Sequence, residues 1–247
     1  MNKLFRSVNL FCFFCLMNLS INAQVTEPKS SQEQPTMEYL CQSLVVNYDL
    51  PESADLEERE KRKLKNKRYD NRGWVSRNPN PESVGRSCDD CVSDPPAMPT
   101  LESDFIIIGE IISGTAFLST DKSGIYTEYA VRIEEVIKGG GSNKAELKDS
   151  VMVDRAGGCV KYPNGQKMFY IMSGPSLPRV GNRYVLFLNN TDKSPNYNIL
   201  VGYRLLNGRV VPIDDGPSQN FKEMSQIELI KKIREAITSS SKNSATN

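Results

Sequence analysis

The chain has 247 residues, and its 31 basic and 30 acidic side chains give a formal net charge of +1. This balance leaves no global field to attract a polyanion, so nucleic acid is not expected as a partner. The sequence contains no histidine. Nucleophiles that depend on an imidazole base, and zinc or copper sites with histidine ligands, are therefore excluded.

Segment 1–23 has the pattern of a secretory signal peptide. Basic residues precede an apolar run from Val8 to Leu19, and Ala23 provides a cleavage site before Gln24. The run is shorter than the roughly 20 apolar residues that a membrane-spanning helix needs, and no later stretch is apolar enough to span a bilayer. The sequence predicts a secreted or periplasmic chain without a transmembrane segment.

Four cysteines follow this cleavage site: Cys41, Cys88, Cys91 and Cys159. An even number in an exported chain predicts two disulfide bonds, and the sequence leaves all three pairings open. A four-thiolate zinc site is the alternative, because Cys88 and Cys91 have the two-residue spacing that zinc prefers. Cys41 and Cys159 stand alone in the sequence, so the disulfides are favoured.

Segment 24–100 is predicted to be a polar, partly disordered extension, because it is rich in charged residues, proline and glycine. One charged helix is expected within it at 53–68, with Ser53 as its N-cap. This helix has few apolar side chains and therefore little to bury. Trp74 is expected to dock the extension onto the rest of the chain rather than to serve as an exposed binding residue.

The second half of this helix carries a basic cluster, which suggests a possible contact with a polyanion. The alternative is a solvated helix with i,i+4 ion pairs such as Glu58–Arg62 and Glu57–Lys61. Acidic residues just upstream offset the cluster, so the solvated helix is favoured. The six basic residues are Lys61, Arg62, Lys63, Lys65, Lys67 and Arg68.

Segment 101–237 is predicted to be a β-domain that ends in a helix. The run from Phe105 to Ile108 is apolar on both faces, whereas apolar and polar residues alternate between Ile125 and Ile137. Both patterns are typical of strands. The predicted strands are 105–113, 125–137, 150–156, 159–162, 168–171, 183–188, 197–203 and 209–213.

The last predicted element is an amphipathic helix at 225–237, where Ser225 and Glu228 have capping-box spacing. Its apolar stripe is expected to pack over the sheet through Ile227, Ile230, Ile233 and Ile237. The serine-rich tail 238–247 is predicted to be disordered.

The order of these elements predicts the fold class. Strands follow one another without βαβ alternation, so the chain is predicted to be all-β. We expect a five-stranded or larger antiparallel OB-like barrel with a C-terminal amphipathic helix and an irregular N-terminal extension.

Three motifs of the β-domain indicate a family. Ser103–Ile111 combines an aspartate, an apolar strand and a glycine, Tyr129–Gly139 is a strand that ends in lysine-glycine, and Val180–Leu188 contains glycine-x-x-tyrosine before an apolar strand. Together they resemble the netrin-like modules, which include the inhibitory domain of the tissue inhibitors of metalloproteinases, and a pattern found in uncharacterised exported bacterial proteins. The resemblance covers 103–213 and implies a five-stranded OB-type barrel.

The tissue inhibitors of metalloproteinases begin with a zinc-chelating cysteine, whereas Gln24 is the expected first residue here, so inhibition by that route is not implied.

These features favour an exported, non-enzymatic binding or interaction module for a protein or a glycan, with no cofactor, metal or catalytic residue assigned. The segments 113–124 and 157–178 are its expected contact loops. One alternative is a carboxylate-dependent hydrolase with Asp214-Asp215 and Glu134-Glu135 as candidate pairs. Neighbouring strand residues point to opposite faces, so neither pair would flank a scissile bond together. The other alternative is a structural envelope component.

Overall fold

A computed structural model describes residues 41–51, 55–77, 96–139, 149–171, 177–190 and 196–244. The expected signal peptide, Cys88 and Cys91 lie outside these ranges. None of the described helices is both long enough and apolar enough to cross a bilayer.

The described chain is mostly β-structure, as predicted. The strands are β1 (Val45–Asn47), β2 (Phe105–Leu118), β3 (Ile125–Lys138), β4 (Ser150–Ala156), β5 (Gly158–Lys161), β6 (Lys167–Tyr170), β7 (Arg183–Asn189), β8 (Tyr197–Leu206) and β9 (Arg209–Pro212). The helices whose bounds are described are α1 (Leu56–Asn66), a 3₁₀ helix (Gly216–Phe221) and α2 (Gln226–Ser244). A small sheet has the order β1-β5-β6, and a large sheet has the order β4-β3-β2-β7-β8-β9.

Five strands of the large sheet close into a ring, because β4 also pairs with β8. The closing contact is parallel and consists of two residue pairs, Val153 with Tyr197 and Asp154 with Asn198. The other four contacts of the ring are antiparallel. A ring with an odd number of strands cannot have only antiparallel neighbours. The ring-like order β4-β3-β2-β7-β8 of a mainly antiparallel sheet agrees with the OB-like expectation, and one short parallel contact closes the ring.

Strand β2 is longer than predicted, so the first expected contact loop is shorter. β2 continues to Leu118, and Ser113–Leu118 pairs with Ile125–Ala130 of β3. A register shift between Ile111 and Ser113 marks a β-bulge. The connection that remains is 119–124.

The second expected contact loop, 157–178, is also partly strand. It contains β5 and β6, which form an antiparallel hairpin. The turn between them contains Asn164-Gly165, a dipeptide that by itself indicates a hairpin turn, with Gly165 at a φ of 84° and its N–H bonded to the Tyr162 carbonyl at 2.9 Å.

Helix α2 covers one face of the large sheet. It follows Ser225, whose hydroxyl accepts a hydrogen bond from the Glu228 N–H at 3.2 Å, as the sequence predicts for an N-cap. Leu229 and Ile233 are fully buried, but Ile227 is 78% exposed. The predicted isoleucine stripe is therefore wrong at its first position, because the helix faces the sheet through Leu229.

The same helix extends to Ser244, beyond the predicted end at Ile237. Thr238 and Ser239 donate side-chain hydrogen bonds to the carbonyls of Arg234 and Glu235 within the helix. No proline or glycine interrupts these residues, so the helix continues into the serine-rich tail.

A disulfide joins Cys41 to Cys159, with the Cα atoms 5.1 Å apart. Cys159 is fully buried, and β1 pairs with β5 beside the bond. The disulfide therefore attaches the segment before α1 to the β-domain. Both sulfurs are used in this bond, so they are not thiolate ligands for the zinc site considered above.

An ion pair lies buried near the ring closure. Arg155 of β4 pairs with Asp214, which follows β9, and only 6% of each side chain is exposed. The second oxygen of Asp214 accepts a hydrogen bond from the Gly202 N–H of β8 at 2.9 Å. Asp214 thus ties β4 to β8, the two strands whose contact closes the ring.

We predict that Asp214→Ala lowers the free energy of unfolding by about 3–5 kcal/mol, because it leaves Arg155 as a buried charge without its partner. Urea unfolding of the purified chain with its disulfide intact measures this loss. Asp215→Ala is the matched control and is expected to change stability by less than about 0.5 kcal/mol, because Asp215 is exposed and makes no capping bond. Equal effects of the two variants would contradict this role for Asp214.

Candidate binding cleft

Helix α1 begins at a residue that differs from the prediction. Asp55 is the N-cap, and its carboxylate accepts a hydrogen bond from the Glu57 N–H at 2.9 Å. Ser53, the predicted cap, lies outside the described residues. Acidic residues in the first turn and basic residues in the last turn complement the helix dipole, as expected.

Helix α1 and the turn after it contact the outer face of β3 and β4 through polar groups. No α1 residue is buried. The ammonium of Lys65 lies 3.1 Å from Glu128 of β3, and the guanidinium of Arg68 lies 2.9 Å from Asp154 of β4. The Arg62 guanidinium packs 3.8 Å from the centre of the Phe117 ring. The helix is therefore positioned by charge and cation–π contacts rather than by an apolar stripe.

Asp154 is the most buried acid beneath this segment, with 1% of the residue exposed. The Tyr69 hydroxyl donates to the Asp154 Oδ1 at 2.9 Å, and Oδ2 has no hydrogen-bond partner in the described part of the chain. Burial raises the pKa of Asp154 to about 6, and the Glu128 carboxylate adds to the rise, while Arg68, Tyr69 and Lys65 oppose it.

The loop between β2 and β3 is fixed by the carboxylate of Asp121. It accepts hydrogen bonds from the N–H groups of Asn71 (2.7 Å) and Ser123 (2.9 Å) and from the Ser119 hydroxyl (2.7 Å). Burial raises the pKa of Asp121, but these hydrogen bonds outweigh it and lower the pKa below its usual value. A Cβ at Gly124 would lie 2.1 Å from the Tyr69 carbonyl oxygen, so the turn after α1 packs directly on this loop.

A cleft of about 320 Å³ lies between α1, strand β1 and the end of β2 with its loop. This volume is at the lower end of the roughly 300–1,000 Å³ typical of ligand sites. Its apolar wall is formed by Val46, Leu50, Pro51 and Leu118.

The charged side chains that line the cleft are mostly cationic. Arg59, Arg62, Lys63 and Lys122 line it together with one acid, Glu58. Glu58 already accepts a hydrogen bond from Arg62 at 3.0 Å. The arrangement suits an anionic ligand with an apolar part.

The structure places the members of the predicted basic cluster in different surroundings. Lys67 is exposed at the C-cap of the helix. Lys65 and Arg68 point at Glu128 and Asp154, and Lys61 pairs with Glu57 on the exposed side of the helix. Only Arg62 and Lys63 also line the cleft. The predicted Glu58–Arg62 and Glu57–Lys61 pairs are both present. Contact of the whole cluster with a polyanion stays a prediction.

The candidate carboxylate pairs are not arranged as catalytic dyads. Glu134 binds Arg183, and its neighbour Glu135 binds Arg234 of α2 at 2.5 Å. Asp214 is buried on Arg155, whereas Asp215 is exposed. Among the described residues, no three histidine, cysteine or acidic side chains are placed to hold a metal ion.

Trp74 docks as expected. Trp74 is 8% exposed and packs with Tyr69 and Tyr126, and its backbone N–H donates to the Ser123 carbonyl at 2.8 Å. Trp74 therefore holds the chain after α1 against the loop that borders the cleft.

A second depression lies along α2, with Ile227 and Ile230 beside Glu135 and Arg234. Its volume is about 610 Å³. Its charges balance, because Lys231 and Arg234 are matched by Glu135 and Glu235. The cleft beside α1 is the better candidate, since its excess of cations specifies a kind of ligand.

The comparisons with known protein families and curated sequences identify no relative of this chain. No protein-family model matches the chain, and a search of curated protein sequences finds no significant match.

Sequence reasoning missed Asp154 and Glu128. Both lie in predicted strands, and the alternation recognised between Ile125 and Ile137 places Glu128 on the polar face, which normally meets water. The signal that could have identified them is the cationic end of α1, whose excess charge needs partners. It could not indicate which acidic residues these partners are.

We predict a pH-dependent effect of Asp154→Asn on stability. Between about pH 4 and 6, Asp154 is ionised in the unfolded chain but still largely protonated in the folded one. The free energy of unfolding of the wild type therefore falls as pH rises through this range. The variant has no carboxyl group at this position and does not show this fall. Relative to wild type, the variant should gain on the order of 2–3 kcal/mol of unfolding free energy between pH 4 and pH 7. Urea unfolding at several pH values measures it.

Glu134→Gln is the control of opposite sign. The hydrogen bond from Arg183 lowers the pKa of Glu134, so that residue stabilises the fold above its unfolded pKa and loses this effect as pH falls. The variant should therefore become less stable relative to wild type as pH rises. A difference between wild type and Asp154→Asn that is constant with pH would contradict the raised pKa.

Proposed function

We propose that the protein is an exported, non-enzymatic binding module, similar to the netrin-like modules, that holds a protein or glycan ligand in the cleft beside α1. The observation that carries the proposal is the composition of this cleft, an apolar wall bordered by four cationic side chains and one acidic side chain. Export is supported by the signal-peptide pattern of segment 1–23.

The position of the cleft in the fold supports the same function. OB-type barrels bind ligands on the face of their second and third strands and on the loop between the first and second. In the ring these correspond to β3 with β4 and to the loop 119–124. Ser119, Thr120 and Lys122 of that loop line the cleft, within the contact loop predicted from sequence.

The hydrolase alternative has less support. Glu134, Glu135 and Asp214 each bind an arginine, and glycosidic hydrolysis needs two carboxyl groups facing one another across an open site. No contact described above favours the structural envelope component over a binding module.

The test uses the mature chain, 24–247, as immobilised bait in the exported fraction of its own cells. N-terminal sequencing of the native protein from that fraction should give Gln24. Thr120→Trp places a large side chain in the cleft, and Thr115→Trp is the control at an exposed position of β2 that does not line it. Wild type and Thr115→Trp should retain the same species, and Thr120→Trp should lose it.

Equal retention by all three baits would contradict binding in the cleft. Native protein found only in the cytosol with residues 1–23 still attached would contradict export.

A further inference from the structure

The apolar wall of the cleft fits a hydrocarbon side chain better than a sugar. It is mainly aliphatic, with Leu50 56% exposed. Phe117 is the one aromatic residue among the described lining residues, and its ring is covered by the Arg62 guanidinium at 3.8 Å and flanked by Tyr126. The Arg62 guanidinium therefore occupies a face of this ring on which a sugar could otherwise stack. This observation favours a protein ligand over a glycan.

The cations of the cleft fit carboxylates. The ammonium of Lys122 donates to the Tyr48 carbonyl at 2.8 Å and lies 5.0 Å from the centre of the Tyr48 ring, and it has no acidic partner among the described residues. Lys63 pairs with Glu60 at the surface, a pair weak enough for a ligand carboxylate to replace. Two cations, one on α1 and one on the loop between β2 and β3, are thus available to an acidic ligand.

Strand β1 borders the cleft through Val46 and Asn47. Among the described strands β1 pairs only with β5, and the bonds from Cys159 N to the Leu44 carbonyl and from Tyr48 N to the Lys161 carbonyl show which backbone groups face β5. Because these groups alternate along a strand, the N–H groups of Val45 and Asn47 point away from β5. Of these two residues Asn47 lines the cleft, so its N–H can serve an extended peptide backbone there, which is the pattern of β-strand addition.

Resting on the proposed function, we infer that the cleft binds an extended acidic peptide segment of a partner protein. One apolar side chain of that segment packs on the aliphatic wall, and carboxylates on either side of it bind Lys63 and Lys122. A fatty acid could use the wall and one cation, but it has no backbone to pair with β1.

The experiment measures fluorescence anisotropy of labelled synthetic peptides with the mature chain, 24–247. The probe is Gly-Glu-Glu-Leu-Glu-Glu, compared with the same peptide carrying serine for leucine and with one carrying lysine for every glutamate. Only the first should bind well, and its binding should weaken as salt rises. Decanoate and a heparin hexasaccharide are tested as competitors.

Matched variants locate the site. Lys122→Gln and Lys63→Gln should each weaken binding of the probe by about three- to tenfold. Lys61→Gln is the control, because Lys61 lies on the same helix with its own acidic partner but does not line the cleft. It should leave the affinity unchanged.

Three results would overturn the inference: no binding of the acidic apolar peptide, equal loss in Lys61→Gln, or preferential occupation of the cleft by decanoate or the hexasaccharide. If the peptide fails but Thr120→Trp still loses its retained species in the bait experiment, only the ligand class is wrong and the binding module stands. If both experiments fail, the proposed function fails as well.

Discussion

Two adjacent residues of β4 connect the inside of the ring with the helix outside it. Successive residues of a strand point to opposite faces. Arg155 therefore meets Asp214 within the structure, and Asp154 meets Arg68 and Tyr69 on the outer face. These two neighbouring residues thus contribute both to the closure between β4 and β8 and to the place where α1 lies. The cleft exists because the helix lies there.

These buried charges define geometry more than they add stability. A buried ion pair commonly gives less net stability than apolar side chains of similar volume would, whereas breaking it by removing one partner is costly. The main favourable energy comes from the ring interior and from the face covered by α2, where aliphatic and aromatic side chains are almost fully buried. The Arg155–Asp214 and Arg68–Asp154 pairs each join β4 to a part of the chain distant from it in sequence.

The sequence predicted the β-domain well because its signals are local. Alternation and apolar runs gave the strands from Phe105 onward, and Asn-Gly pairs marked hairpin turns. The parallel contact between β4 and β8 has no comparable signal, because two residue pairs leave no pattern in the chain. The sequence did not predict that Ile227 is exposed. The helical spacing of the isoleucines does not show whether the first of them lies at the centre or at the border of the face that packs on the sheet.

The cleft was only partly predictable. The loop that borders it was expected to be a contact surface, and the basic residues of α1 were recognised, but their division between ion pairs and the cleft depends on tertiary contacts. Apolar burial does not predict where α1 docks, because the helix buries none of its own residues. Its position follows from Glu128 and Asp154, which are far from it in sequence.

The cleft depends most on the docking of α1 against β3 and β4. An isolated helix of 11 residues is marginal in water, so protection of its backbone amides from hydrogen exchange reports docking. We predict that the amides of α1 are protected in the wild type and exchange roughly tenfold faster or more in Arg68→Gln. The amides of β2 and β7 should be unchanged in that variant, and Arg77→Gln should leave α1 protected. Exchange of the wild-type α1 amides at the rate of an unstructured peptide would contradict the account.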